Sequence, residues 1–391
     1  MTTHLSISHV PSLIRDFLFF KANPEGARTI LGSLATAIMT VVGVVFSITI
    51  VVLQQVSSQY TPRAVQNFVR SVISQVVLGF FLGTFIYCLL LLTVVQPVIS
   101  GNKSVAVPQL ALSVAIALSL ICLSLLIAYI QYITKAIQST QIIANISLET
   151  HKALSNVSIN RSPADAEGFH AYGLVQTVPI YISDTGYFQD FKWQKLEGSL
   201  RQNQWLLEVK VDLGTYVQKN ELVAEYTSSE KLSKKDLETI QRSFVLGQER
   251  TSAQDPLFGI SKMVDVGVRA LSPGINDPST ALEAIHGITS VALHFSNAYP
   301  LENHLKFAKG RQIKIPKTEA ENFIGVCYDQ LLQFGKEHQP ILKLIRADLS
   351  LILEGTQDPE IIAAVNKRLS LLRTYFLSEN FTHFQSPEVL S

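Results

Sequence analysis

"TILGSLATAIMTVVGVVFSITIVVL", residues 29–53, runs for 25 positions without one charged side chain. About 20 helical residues cross the ~30 Å hydrocarbon core of a bilayer. A soluble core helix would carry a polar face over that length, so the stretch predicts a transmembrane helix. Two further runs share its character, 71–95 (SVISQVVLGFFLGTFIYCLLLLTVV) and 109–133 (QLALSVAIALSLICLSLLIAYIQYI). The first helix is expected to open at Asn23-Pro24, with Asn as cap and Pro at the first helical position, where its missing N–H costs nothing.

The 391 residues are sharply asymmetric. Between Arg28 and Lys135 the only charged residues are Arg63, Arg70 and Lys103, while the segment after Lys135 has ordinary charge density. The formal net charge of +1 leaves no basic face for nucleic acid. Cys88, Cys122 and Cys327 have neither metal nor disulfide spacing, which fits a reducing compartment. No metal or cofactor is expected. Residues 5–20 (LSISHVPSLIRDFLFF) are apolar but interrupted by Pro11, Arg15 and Asp16. They read as part of an interfacial N-terminal segment (1–28), with a fourth span as the alternative. No cleaved signal peptide is expected. Arg63 and Arg70 in the 54–70 loop, with Lys135 and Lys152 after the third span, place that loop and the C-terminal part in the cytoplasm. Arg15, Lys21 and Arg28 oppose this arrangement if there are only three spans.

Within the first span Thr29, Ser33, Thr36, Thr40, Gly43, Ser47 and Gln54 recur along one small-and-polar stripe. The second span carries Gly79 and Gly83 at the four-residue spacing that lets helix backbones approach in lipid. Two readings stand, a helix-packing seam or a hydroxyl-lined path in a homo-oligomer. The absence of intramembrane charge argues against a proton- or cation-coupled pump.

After the spans (29–133), residues 134–165 read as a linker helix. From 166 to 229 the pattern turns to period two: "LVQTVPIYI", "GYFQDF", "WLLEVKV", "ELVAEY". The pattern Val211-x-x-Gly214-x-x-Val217-x-x-x-x-Leu222 resembles the second half of a lipoyl- or biotinyl-carrier β-sandwich, with Val217 and Leu222 facing inward. That resemblance implies a modified lysine at a hairpin tip. The corresponding Tyr226–Ser229 contains none, so no attached cofactor is expected. Residues 230–391 return to helical periods. Asp255-Pro256, Asp277-Pro278 and Asp358-Pro359 each stand before a helix as cap and first residue. "ALSPGINDPSTA" (270–281) therefore reads as a rigid corner between two apolar helices, with a ligand site as the second reading. The predicted architecture is an α-helical membrane domain of three, possibly four, transmembrane helices, then a small β-sandwich-like domain and an all-α C-terminal domain.

The stretches 249–285, "VVGVVFSITIVVLQQVSSQYTPRAVQNFVR" and "LGFFLGTFIYCLLLL" resemble a bacterial family of predicted membrane proteins of unknown function. The likeness is carried by Arg250, Thr251, Gln254, Asp255, Arg269, Ser272, Pro273, Gly274, Asn276, Asp277, Pro278 and Thr280, together with Ala270, Leu271 and Ala281. It implies a multi-pass protein of the bacterial inner membrane, with a further span ahead of 29–53 that residues 5–20 match poorly. An even number of spans would put both termini in the cytoplasm. It implies no activity.

Three functions are therefore weighed. An oligomeric pore or transport-related protein in the lipid bilayer leads, on the hydroxyl stripe. A membrane-anchored scaffold or sensor binding a partner or small ligand through its soluble part is the alternative. An enzyme is disfavoured, because no metalloprotease, nucleophile-elbow, phosphate-loop or dinucleotide motif occurs.

Overall fold

A computed structural model describes residues 23–59, 72–95, 108–136, 138–159, 176–200, 204–252, 255–299, 304–307 and 311–377. The chain divides into two compact units, 1–58 with 62–138, and 139–391 with 59–61.

Among the described residues the first unit is three helices: α1 (Pro24–Gln59), α2 (Val72–Val94) and α3 (Gln109–Ala136). At 1.5 Å per residue they rise roughly 54, 34 and 42 Å, each enough to cross a hydrocarbon core. All three are apolar enough to do so. The Asn23-Pro24 start holds: Asn23 Oδ1 accepts the Gly26 N–H at 2.8 Å. Ala27, Leu31, Ala35, Ile38, Val45, Val52 and Val56 form the buried face of α1, spaced as a helical stripe. A hydroxyl pair, Thr49 with Tyr129 at 2.6 Å, joins α1 to α3. Helices α2 and α3 pack together, with Cys122 Sγ donating to Thr84 Oγ1 at 3.5 Å and Tyr87 Oη to the Ala111 carbonyl at 3.0 Å. Residues 5–20, and with them the fourth-span alternative, lie outside the described residues.

The second unit opens with α4 (Ser139–Ile159). The polar stretch after the third span was expected to be a linker. Instead α3 closes at Ala136 and α4 is a packed member of the second unit, because Ile143, Ile146, Thr150, Ala153 and Leu154 make one buried stripe. Next come β1 (Gln176–Tyr181), β2 (Gly186–Phe191), α5 (Gln194–Ser199), β3 (Trp205–Val209), β4 (Tyr216–Val217), β5 (Leu222–Ser228), α6 (Lys234–Gln241) and β6 (Phe244–Gly247). The remaining elements are α7 (Pro256–Ala270), α8 (Pro278–Ala298), β7 (His304–Phe307), β8 (Arg311–Lys314), α9 (Ala320–Phe334), α10 (Gln339–Gly355) and α11 (Pro359–Leu377).

Two sheets, β1-β5-β3-β8-β7 and β4-β2-β6, share one core of Ile180, Phe188, Trp205, Leu207, Val217, Val223, Tyr226 and Phe244. The β structure thus extends beyond 166–229. Strand β6 completes the smaller sheet, and β8 returns from between helices to pair in parallel with β3. Val217 faces inward as expected, but Leu222 is 37% exposed and Val223 takes the buried place. Asn220, at φ 66°, turns the chain between β4 and β5, so parity counted through the turn does not carry across. Nor is Tyr226–Ser228 a hairpin tip: it runs along β5, paired with both β1 and β3, and Tyr226 is fully buried.

Helix α4 packs on α7 and α8. Gly259 of α7 lies so close to Thr150 of α4 that a Cβ there would sit 2.0 Å from Thr150 Oγ1. A second tie is the stacked pair His151–His294, whose Nδ1 atoms are 2.9 Å apart, with Ser290 Oγ 3.0 Å from His151 Nε2. One ring nitrogen must donate and the other accept, so the pair excludes two imidazolium ions. Burial first, then the His294 ring, holds His151 below the usual imidazole pKa. The folded protein therefore binds fewer protons here than the unfolded chain, and stability falls as pH drops through about 6.5 towards the lower folded value. Hydrogen exchange of α4 and α8 in the full-length protein should accelerate on acidification beyond the intrinsic rate change. His151→Phe should flatten that step, and unchanged protection across the range would refute the latch.

Candidate functional site

The second unit holds a cavity of about 870 Å³. Strand β2 and the turn after β3 supply one side; the starts of α7 and α9, the end of α4 and Phe295 of α8 supply the other. Its size lies in the range of small-molecule sites.

The wall is built around one glycine. Gly214 has φ 82° and its N–H donates to the Phe188 carbonyl at 2.8 Å, while Phe188 N–H donates to the Thr215 carbonyl at 2.9 Å. A Cβ at 214 would lie 2.1 Å from Asp255 Oδ2 and 2.7 Å from Arg250 Nε. Only a residue without a side chain admits that approach. Arg250 donates Nε and Nη2 to Asp255 Oδ2 at 3.0 and 2.6 Å. Asp255 Oδ1 meanwhile accepts the Phe258 N–H at 3.0 Å, capping α7. The Asp255 side chain is 5% exposed and Arg250 31%. Burial raises the Asp255 carboxyl pKa, against the pull of Arg250. The guanidinium also lies 4.9 Å from the centre of the Phe258 ring. Behind the pair, Lys262 Nζ reaches Ser252 Oγ at 3.4 Å, and Ser252 donates to Glu149 of α4 at 3.0 Å. This short segment ties α4, α7 and the sheets to one another.

Other charges face the cavity. Asp212 is exposed to it, yet the surrounding walls push its carboxyl pKa upward, and the charges of Asp255 and Glu319 add to the shift. Lys317 is engaged from outside by Glu360 at 2.8 and 3.0 Å and lies 5.0 Å from the Tyr299 ring centre. The two oxygens of Glu360 hold that ammonium charged and raise its pKa. Phe188, Phe191, Trp193 and Phe323 supply apolar wall. Among the described residues no group of three His, Cys, Asp or Glu side chains is placed to hold a metal ion.

The sequence-predicted residues separate into three places. Arg250 and Asp255 meet at the cavity; Thr251 is half-buried beside them, and Gln254 lies outside the described residues. Arg269 is in the last turn of α7, about 21 Å along the helix from Asp255. The corner beyond it closes on itself. Ser272 Oγ donates to the Arg269 carbonyl at 2.6 Å, the Asn276 N–H to the Ser272 carbonyl at 2.9 Å, and the Asp277 N–H to the Ala270 carbonyl at 2.8 Å. Asn276 takes a left-handed φ of 48°. Asp277 accepts from Thr280 N–H and Oγ1 at 3.1 and 2.6 Å, which lowers its carboxyl pKa. Pro278 opens α8, while Pro273 and Gly274 are exposed. Helix donors that an anion would need are thus taken by Asp277.

The membrane stripe is the third place. Thr29, Ser33, Thr36, Thr40, Gly43, Ser47 and Gln54 are all on the exposed side of α1, opposite its buried face. The hydroxyls of Thr36, Thr40 and Ser47 donate at 2.9 Å to carbonyls four residues back. Gly79 and Gly83 are also exposed, and a Cβ at either would meet nothing within 4 Å. Within the chain, α2 meets α3 through a different face, that of Phe81, Thr84 and Cys88. Asp212, Trp193, Lys317 and Glu319 escaped the sequence reading, because only tertiary packing gathers them. The Asp212-x-Gly214 turn was the one local signal.

Three membrane-length helices followed by a mixed β and α unit define a membrane protein with a large second part. The chain belongs to the family described as "Predicted membrane protein (DUF2254)", which it matches over residues 2–349. It is 26% identical over 370 residues to an uncharacterized protein of Mycobacterium bovis and to uncharacterized proteins of two Mycobacterium tuberculosis strains. Each alignment covers 91% of this chain and 69% of the relative. No solved structure matches it.

Proposed function

We propose that the protein is a membrane-anchored binding protein, a sensor or scaffold rather than an enzyme, whose second unit takes up a small organic ligand in the 870 Å³ cavity. The cavity carries this reading: it sets the aromatic side chains of Phe188, Phe191, Trp193 and Phe323 beside charged and polar ones, and ligand sites combine apolar contact with polar groups that fix orientation. The Asp255–Arg250 pair beside Gly214 keeps its wall rigid. We place the protein in the bacterial plasma membrane with the second unit cytoplasmic, on the bias of Arg63 and Arg70. The test is a thermal-shift screen of small organic molecules against the full chain in detergent, with Asn322→Trp alongside. Asn322 is exposed and lines the cavity, so the indole fills it without entering a packed core. A ligand that stabilises the wild type and not the variant supports the reading. A screen without any such ligand overturns it.

A second reading, a homo-oligomeric pore, draws on the outward Thr/Ser stripe of α1 and the exposed Gly79 and Gly83. Their small side chains suit close helix approach between copies. Unitary currents from purified protein in a planar bilayer, lost in a correctly assembled Ser47→Leu variant, are the expected result. Silence from intact oligomer would leave the stripe as surface whose hydroxyls bond only their own helix.

A further inference from the structure

We propose that the cavity selects a small organic cation, an amine or quaternary ammonium with an apolar body. This rests on the binding function above and names its ligand class.

The charges around the cavity do not balance once its internal pairs are removed. Its acidic residues are Asp190, Asp212, Asp255 and Glu319, and its basic residues Lys192, Arg250 and Lys317. Arg250 is taken by Asp255 at 2.6 Å, and Lys317 by Glu360, which is not part of the wall. What remains is Asp190, Asp212 and Glu319 against Lys192, a local surplus of two negative charges. After burial, the charges of Asp255 and Glu319 raise the Asp212 pKa, and of these two Glu319 belongs to that surplus. A bound cation would relieve it.

The apolar wall is independent of the carboxylates. Phe188, Phe191 and Phe323 are buried in its floor and Trp193 is half-buried. Aromatic faces attract cations, and alkylated ammonium groups in particular, because the rings carry negative faces and the ligand sheds little hydration. An inorganic ion is a poor fit, since no three ligating side chains converge among the described residues. An anion is a poorer one: Asp255 already caps the α7 N-terminus, and Glu319 stands at the cap position of α9.

The experiment is calorimetric titration of the full chain in a neutral detergent with benzyltrimethylammonium, its uncharged isostere neopentylbenzene, and phenylacetate, each blanked against empty micelles. The cation should bind saturably and the other two not. Asp212→Asn and Glu319→Gln change exposed side chains, and each should weaken the cation by about tenfold. Raising the ionic strength should weaken the wild type, a readout that needs no variant. Equal or preferred binding of the neutral or anionic probe, blocked by Asn322→Trp, would overturn the cation and leave the binding function standing. Absence of binding by all three also overturns the cation, while the broader screen decides the binding function separately.

Discussion

Gly214→Ala lowers stability by about 3 kcal/mol, through left-handed backbone strain and a displaced buried ion pair. The residue sits at φ 82°, where a Cβ is strained whatever the space around it. Here there is also no space, since the new atom would lie 2.1 Å from Asp255 Oδ2. Relief requires the carboxylate to move, which lengthens its bonds to Arg250 and uncaps α7 at Phe258. Gly274→Ala is the control. It lies in the corner, a Cβ there meets nothing within 4 Å, and its effect should stay within about 0.5 kcal/mol. Denaturant melts of the two variants in the same detergent measure the contrast. Equal stability would mean that the turn does not press on the ion pair.

Arg250→Leu comes next, with an expected loss of about 3–5 kcal/mol near neutral pH, because it strands a buried carboxylate. Asp255 keeps 5% side-chain exposure and loses the guanidinium that neutralises it. It still caps α7, so the group cannot simply turn away without costing that bond as well. The pH dependence identifies the cause. Burial already raises the Asp255 pKa in the presence of the guanidinium, and without it the folded value rises further above the unfolded one. The folded variant then binds more protons between those two values, so its stability falls as pH rises through that window. The deficit relative to wild type should shrink on acidification. A deficit independent of pH would assign the loss to packing on Phe258, where the guanidinium sits 4.9 Å from the ring centre. Asp255→Ala is milder, since Arg250 is 31% exposed and regains water; the lost cap costs about 1 kcal/mol.

The local signals in the sequence were physical and held where the chemistry is local. Asn23-Pro24, Asp255-Pro256, Asp277-Pro278 and Asp358-Pro359 all cap the helices they precede. A cap needs only three or four consecutive residues, so its spacing is visible in one dimension. The corner from Ser272 to Asp277 was legible for the same reason. Strands β7 and β8 were missed although "HLKF" alternates; "RQIK" does not. Each is four residues long and flanked by long helices, and β8 finds its partner β3 about a hundred residues away in the chain. His151 and His294 are 143 residues apart and meet only because α4 and α8 pack.

By itself, then, the sequence determined the three membrane-length helices, the family and the capped helix starts, since apolar length, motif and cap chemistry are written in contiguous residues. It also placed a polar stripe on one side of α1, because helical period fixes which residues share a face. Which face turns inward was decided by the tertiary structure: the Ala27–Val56 stripe packs, and the hydroxyl stripe stays exposed. The cavity was decided there too. Its charges come from β2, the Asp212–Gly214 turn, the start of α7 and the entry to α9, and only burial and close approach, which act through space, give those separate carboxylates and cations a common field.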